Sequence, residues 1–322
     1  MLWKFAKSFL YTVFPRIKFR SLKQLIRYFP LFFLLIGSII LIPEIQVICD
    51  TIYEKNYTKM RAIFIILILA SSQRLFAQQV LAAINVVKPI YTSIAPVAGP
   101  PVTDIDGNNY KTVKIGTQIW MAENLKTTRY SDGTAIPLVN NPPAWSDLTS
   151  SGKAYCWYND DITNKELYGA LYTWAAAMNG EAGNNLIPSG VQGVCPTGWH
   201  MPSDAEWKIL TDFLTYNGFD SGRGIDVAKS IAARSGWKEY HITGTVGNDQ
   251  LKNNESGFSA LPGGSRLYNG TFNQAGNTAN WWRATEFSES LAYYRYISYC
   301  NNRIYQSSNN KQNGFSVRCL RD

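Results

Sequence analysis

Histidine is nearly missing from this 322-residue chain, which has only His200 and His241. No H-E-x-x-H helix exists, which excludes a metalloprotease-type zinc centre. The five cysteines include no C-x-x-C pair, the common spacing of a zinc site, so no metal is expected. A nucleophile elbow and a glycine-rich phosphate loop are also absent. No cofactor is expected either.

Clustered positive charge is lacking beyond the N-terminus. Of the net charge of +8, residues 1–59 supply +6 from nine Lys/Arg against three Asp/Glu, and beyond Ala77 the count is 20 against 20. Nucleic acid is therefore not an expected partner, because phosphate backbones are held by clustered Lys and Arg.

No clean apolar run reaches the ~20 residues that a bilayer span needs. The run over 29–42 stops at Pro43 and Glu44. A second pattern fits a signal peptide at 60–77: Lys59 and Arg61 flank Met60, residues 62–70 are apolar, and a polar stretch ends at Ala77. The chain is thus expected to be exported, either secreted or at the cell surface. Residues 1–59 have two open readings. One is a start codon placed upstream of Met60. The other is a retained anchor whose seven Lys/Arg before Phe29 stay cytoplasmic, the only expected membrane contact. Cys49 follows the bulky Ile48, which is wrong for a lipobox, so a lipoprotein is not expected.

Residues 78–102 carry Pro89, Pro96, Pro100 and Pro101 with few charges and read as an extended linker. The remaining 103–322 reads as one domain. Alternation predicts strands at 110–115 and 117–122, with tight turns at Asp106-Gly107 and Asp132-Gly133. Leu167, Leu171, Trp174 and Met178 recur at helical spacing and predict a first helix over 167–178. Ser203 and Glu206 form a capping box that opens a second helix with Trp207, Leu210, Phe213 and Leu214 on its buried face. Strands are predicted at 257–261, 279–285, 292–299 and 314–319. Strands, two helices and then more strands make an α+β plan of mostly antiparallel pairs.

Seven motifs in order carry a resemblance: Asp104-Ile-Asp-Gly-Asn108, Ile119-Trp-Met-Ala-Glu-Asn-Leu125, Tyr155-Cys-Trp-Tyr158, Cys195-Pro-Thr-Gly-Trp-His200, Gly257-Phe-Ser-Ala-Leu-Pro-Gly-Gly264, Trp281-Trp282 and Gly314-Phe-Ser-Val-Arg-Cys319. Together they resemble the Fibrobacter succinogenes major paralogous domain. Pro202-Ser-Asp-Ala-Glu-Trp207 and the closing Gly-Phe-x-x-Arg-Cys are more distantly similar to the formylglycine-generating, sulfatase-modifying domains. Both resemblances imply a C-type-lectin-like fold in which the N- and C-terminal strands pair. The same plan implies a Cys195–Cys319 disulfide and leaves Cys156 and Cys300 for each other. The catalytic cysteine pair of the sulfatase-modifying enzymes has no convincing equivalent here. The sugar-ligating Glu-Pro-Asn or Gln-Pro-Asp triplet of calcium-dependent lectins is absent, and Asp104-Ile-Asp-Gly-Asn108 lacks an EF-hand's closing Glu and reads as a turn.

His200, Ser203 and Asp204 read as structural: a histidine bonded to backbone, a helix cap, and a carboxylate at a helix N-terminus. A ligand surface is expected among Trp282, Arg283, Tyr294, Tyr296, Asn301, Asn302 and Arg303, since aromatic faces and amides suit carbohydrate or an envelope or extracellular protein. About half of those aromatics must face the core of an alternating strand, Trp281 or Trp282 first among them. The function expected is a non-catalytic binding or adhesion module of the bacterial envelope. The rivals are a thiol-dependent enzyme and a purely structural envelope domain.

Overall fold

The computed structural model describes residues 96–219 and 227–322. The expected N-terminal extension, the expected signal peptide, Cys49 and the expected linker up to residue 95 lie outside the described residues. Among the described residues no helix is long and apolar enough to cross a membrane.

The chain opens with β1 (Val97–Ala98), β2 (Val102–Thr103), β3 (Asn109–Tyr110), β4 (Thr112–Ile115) and β5 (Gln118–Met121). Helix α1 (Pro142–Ser146), β6 (Tyr155–Cys156), α2 (Lys165–Tyr168), β7 (Leu171–Tyr172) and α3 (Trp174–Ala177) follow. Then come β8 (Trp199–His200), α4 (Asp204–Tyr216), α5 (Ala228–Ile231), β9 (Gly263–Arg266), β10 (Phe272–Ala275), β11 (Thr278–Glu286), β12 (Leu291–Ser298), β13 (Tyr305–Asn310) and β14 (Leu320–Arg321). The mixture of helix and antiparallel strand is the expected α+β plan.

The main sheet has the order β1-β4-β5-β14-β8, and all its pairs are antiparallel. Leu320 of the last strand pairs with Trp120 on one side and His200 on the other, so the C-terminal strand lies beside an early one. The sheet also takes in Val97 and Ala98, which the linker reading had set outside the domain.

The turns follow their local chemistry. Between β2 and β3, Asp104 Oδ1 accepts from the backbone N–H of Asp106 and of Asn108, each at 2.9 Å, while Oδ2 accepts from Asn108 Nδ2 and Tyr110 Oη. The segment is therefore a side-chain-braced turn, as read. Gly116 turns β4 into β5 at φ +61, and a Cβ there would stand 2.7 Å from Phe213 of α4, so both the angle and the close approach demand glycine.

The period-two alternation of these strands feeds two cores. Trp120 packs with Val113, Trp207, Leu210, Phe258, Trp281 and Ile297, whereas its neighbour Met121 packs with Leu125, Tyr172, Trp282, Phe315 and Val317. In β11 the adjacent Trp281 and Trp282 likewise go to opposite cores.

Three expected elements differ. The helix over 167–178 is broken: α2 ends at Gly169 with φ +74, and the chain extends into β7 before Thr173 caps α3. The ladder of β7 with β6, together with Ala170 N–H donating to Leu125 O, outweighs the helical propensity of the alanines. Residues 257–261 make only one bridge, Ala260 to Ala232, because the carbonyls of Phe258 and Ser259 accept from Arg318 instead of from a neighbouring strand. Residues 314–319 form no ladder either. They touch three different partners in turn, through Gly314 to Arg266, Phe315 to Tyr172 and Ser316 to Trp281.

Candidate functional site

The segment from Cys195 to Trp207 is the most motif-like, and its Cys195, His200, Ser203 and Glu206 side chains are all engaged by other groups of the protein. Cys195 and Cys319 are joined in a disulfide with Cα atoms 5.9 Å apart. Ser203 Oγ accepts from Glu206 N–H while Glu206 Oε2 accepts from Ser203 N–H, completing the capping box of α4. His200 is buried and structural, but it bonds two carboxylates and not the backbone expected of it: Nδ1 is 2.6 Å from Asp322 Oδ1 and Nε2 is 2.8 Å from Glu206 Oε1. Burial acts to lower its pKa, yet the bonds and charges of Glu206 and then Asp322 outweigh it and raise the value. A buried imidazole with both nitrogens engaged has no free edge for substrate.

Four of the remaining motifs, those of Asn124, Phe258, Trp281 and Arg318, converge on one buried cluster. Asn124 Oδ1 accepts from Arg318 Nε at 2.8 Å and from Trp281 Nε1 at 3.1 Å, while Asn124 Nδ2 donates to Tyr168 O. Arg318 is fully buried and forms no salt bridge among the described residues. Its Nη atoms donate to the carbonyls of Met121, Phe258 and Ser259, and its guanidinium lies 4.5 Å from the Phe258 ring. Trp120, Trp207, Phe258 and Trp281 pack around it with ring centroids 4.8–5.8 Å apart.

The seven residues expected at a ligand surface separate by strand alternation. Trp282 is fully buried and donates to Tyr172 O at 2.8 Å, so it is core and offers no ligand face. Tyr294 is half-buried against Trp282 and Phe315. On the same face Tyr294 stacks on Tyr296 at 5.6 Å, and Tyr296 stacks on its cross-strand partner Tyr305 at 5.1 Å. Rings this close cover one another, so the ladder presents phenolic edges at strand β13, the edge of its three-stranded sheet. Tyr305 was missed, although the two-residue alternation of Tyr294 and Tyr296 was a signal for a tyrosine face. Asn301 and Asn302 are half-buried, and their carbonyls accept from Val246 and Ala228 N–H, which fastens the β12–β13 loop to the preceding segment. Only Arg303 is exposed.

Arg283 lies on the opposite face from Trp282. It is fully buried, as is most of Arg295, and Nη1 of the first and Nη2 of the second both donate to Asp204 Oδ1 at the start of α4. Asp204 N–H donates to Thr285 Oγ1 at 3.0 Å. The Tyr293 ring lies 4.8 Å from the Arg283 guanidinium. Burial, then the neighbouring Arg295, push Arg283 down to about 9, which leaves it charged at neutral pH. Asp204 thus does more than favour a helix N-terminus.

The thiols do not assemble a reactive centre. Cys156 and Cys300 are both free, which corrects the expected second disulfide. Cys156 is buried beside Leu171, Ala154 and Trp145, and burial pushes its thiol up to about 12 against the pull of Arg266. A buried, protonated thiol is inert. Cys300 is half-buried, with Sγ 3.4 Å from Ser298 Oγ. Among the described residues no group of three His, Cys, Asp or Glu is placed to hold a metal ion.

No curated protein and no solved structure matches the chain. The family described as the Fibrobacter succinogenes major domain matches residues 113–321, from within β4 to the end of β14. That match runs through six of the seven motifs and covers more than half of the chain, so the chain belongs to the Fibrobacter succinogenes major domain family.

Proposed function

We infer that this protein is an exported, non-catalytic binding or adhesion module of the bacterial envelope, of C-type-lectin-like fold, whose ligand is a carbohydrate or a protein. The lectin-like reading draws support from the C-terminal strand β14 lying between β5 and β8. Export draws support from the disulfide, since thiols in reducing compartments stay apart. The observation that carries the binding reading is the Tyr294–Tyr296–Tyr305 ladder, which ends on an edge strand of sequence Tyr-Gln-Ser-Ser-Asn-Asn. Phenolic edges beside hydroxyls and amides combine apolar contact with hydrogen bonding at low cost in side-chain entropy.

A glycan array and a pulldown against envelope proteins test this reading with the full chain. Binding that falls roughly tenfold in Tyr296→Ala and Tyr305→Ala is the expected outcome. No binding in either assay, or binding that ignores both substitutions, overturns the ladder as the site.

A further inference from the structure

The Arg283–Arg295–Asp204 cluster carries more positive than negative charge: two guanidiniums meet one carboxylate oxygen. Arg283 Nη1 is taken by Asp204, but its Nε and Nη2 have no partner among the described residues, and neither does Arg295 Nε. Nε and Nη2 form one straight edge of a guanidinium, with two parallel N–H donors whose spacing matches the two oxygens of a carboxylate. Buried donors are ordinarily satisfied, and those of a charged group most of all. Arg283 has a side-chain exposure of 0% and Arg295 of 9%, so bulk water does not serve these donors.

We propose that the Nε–Nη2 edge of Arg283 is a binding site for a carboxylate brought by a ligand. One added carboxylate brings the cluster to two positive and two negative charges. It also engages the two Arg283 donors that Asp204 leaves over. A planar monoanion suits the fork better than a tetrahedral dianion, which would leave an excess negative charge in a buried place. The cluster reaches the surface at Asp204, whose side chain is 32% exposed. The Tyr293 ring covers Arg283 and meets the 52% exposed Phe287 edge-on at 5.1 Å, so these two rings form the cover that the ligand passes. The site faces away from the tyrosine ladder, because Tyr293 and Arg295 alternate with Tyr294 and Tyr296 along β12, and it does not depend on the ladder's function.

The test follows the ¹⁵Nε–¹H signal of Arg283 in the full chain during titration with acetate, with chloride and inorganic phosphate as controls. A saturable shift with acetate and none with the other two is expected. Glucuronate and N-acetylglutamate amide, run as separate arms, show whether an acidic sugar or an acidic peptide is the better source. Arg283→Lys keeps the charge but removes the fork and should weaken acetate binding about tenfold. Asp204→Asn removes the competing oxygen's charge and should tighten it, a gain that a merely structural role does not give. An unmoved Arg283 signal in the wild-type chain overturns the site, and an equal response to all three anions overturns the carboxylate assignment.

Discussion

Arg318 Nε donates to Asn124 Oδ1 over 2.8 Å, joining two motif residues 194 positions apart in the chain. Among the described residues the guanidinium forms no salt bridge and is held by an amide, three carbonyls and the face of Phe258. Burial, against the pull of Glu123, pushes Arg318 down to about 9, so it stays charged in the folded protein at neutral pH. Arg318→Met would take this donor from the carbonyls of Met121, Phe258 and Ser259 and leave Asn124 Oδ1 with Trp281 Nε1 alone. The expected loss of stability is ~3–5 kcal/mol, read by denaturant unfolding. Arg318→Lys should recover little of it, since one ammonium cannot span the fork of acceptors. A loss below about 1 kcal/mol for the Met variant would show that the cluster is not what holds the motifs together.

His200 gives the fold a pH dependence whose sign is fixed by its partners. Its folded pKa is raised above the ordinary 6.5 because Glu206 and then Asp322 outweigh burial. A raised histidine contributes fully below the unfolded value and loses its contribution as pH rises through the folded one. Stability should therefore decline on going from below pH ~6.5 into the alkaline range. His200→Gln should flatten this part of the profile while lowering stability in acid. Equal slopes in the two proteins would show that Glu206 and Asp322 do not hold the imidazolium.

Much of this architecture was legible because its causes are local. The capping box needs only Ser203 and Glu206 three residues apart, and the turn at Asp104 needs only its own side chain and the next few N–H groups. The disulfide was legible through family resemblance, not local pattern. What escaped notice depends on distant partners. The helix over 167–178 broke because β6, from elsewhere in the chain, offers Leu171 and Tyr172 a ladder. The strand at 257–261 failed because its carbonyls serve Arg318, some 60 residues on. At the expected ligand surface, alternation correctly put part of the aromatics inside, but only the fold assigns Trp282 to the core and pairs Arg283 with Arg295 across Asp204.

The disulfide links positions 124 residues apart and fastens the segment before β8 to the end of the domain. Closing so long a loop restricts the unfolded chain strongly. Cys195→Ser with Cys319→Ser should cost about 2–4 kcal/mol. The same loss should follow from adding reductant to the wild-type chain during unfolding. Unchanged unfolding midpoints with and without reductant would mean that the bond does not form in the native protein.

The free thiols separate the binding reading from a thiol-dependent enzyme. Cys156 is buried with its pKa pushed up to about 12, so it stays protonated at pH 8. Alkylation of the folded chain without reductant, followed by peptide mapping, should label Cys300 and leave Cys156 unmodified. Denaturant alone should then expose Cys156, while Cys195 and Cys319 need reductant as well. Because the thiolate is the reactive species, the rate at Cys300 reports directly on its environment. A rate close to that of a simple thiol fits a residue with only Ser298 Oγ at hydrogen-bonding range. A rate a hundredfold above it, persisting below pH 7, would mark an activated nucleophile and shift the balance from a binding module to an enzyme.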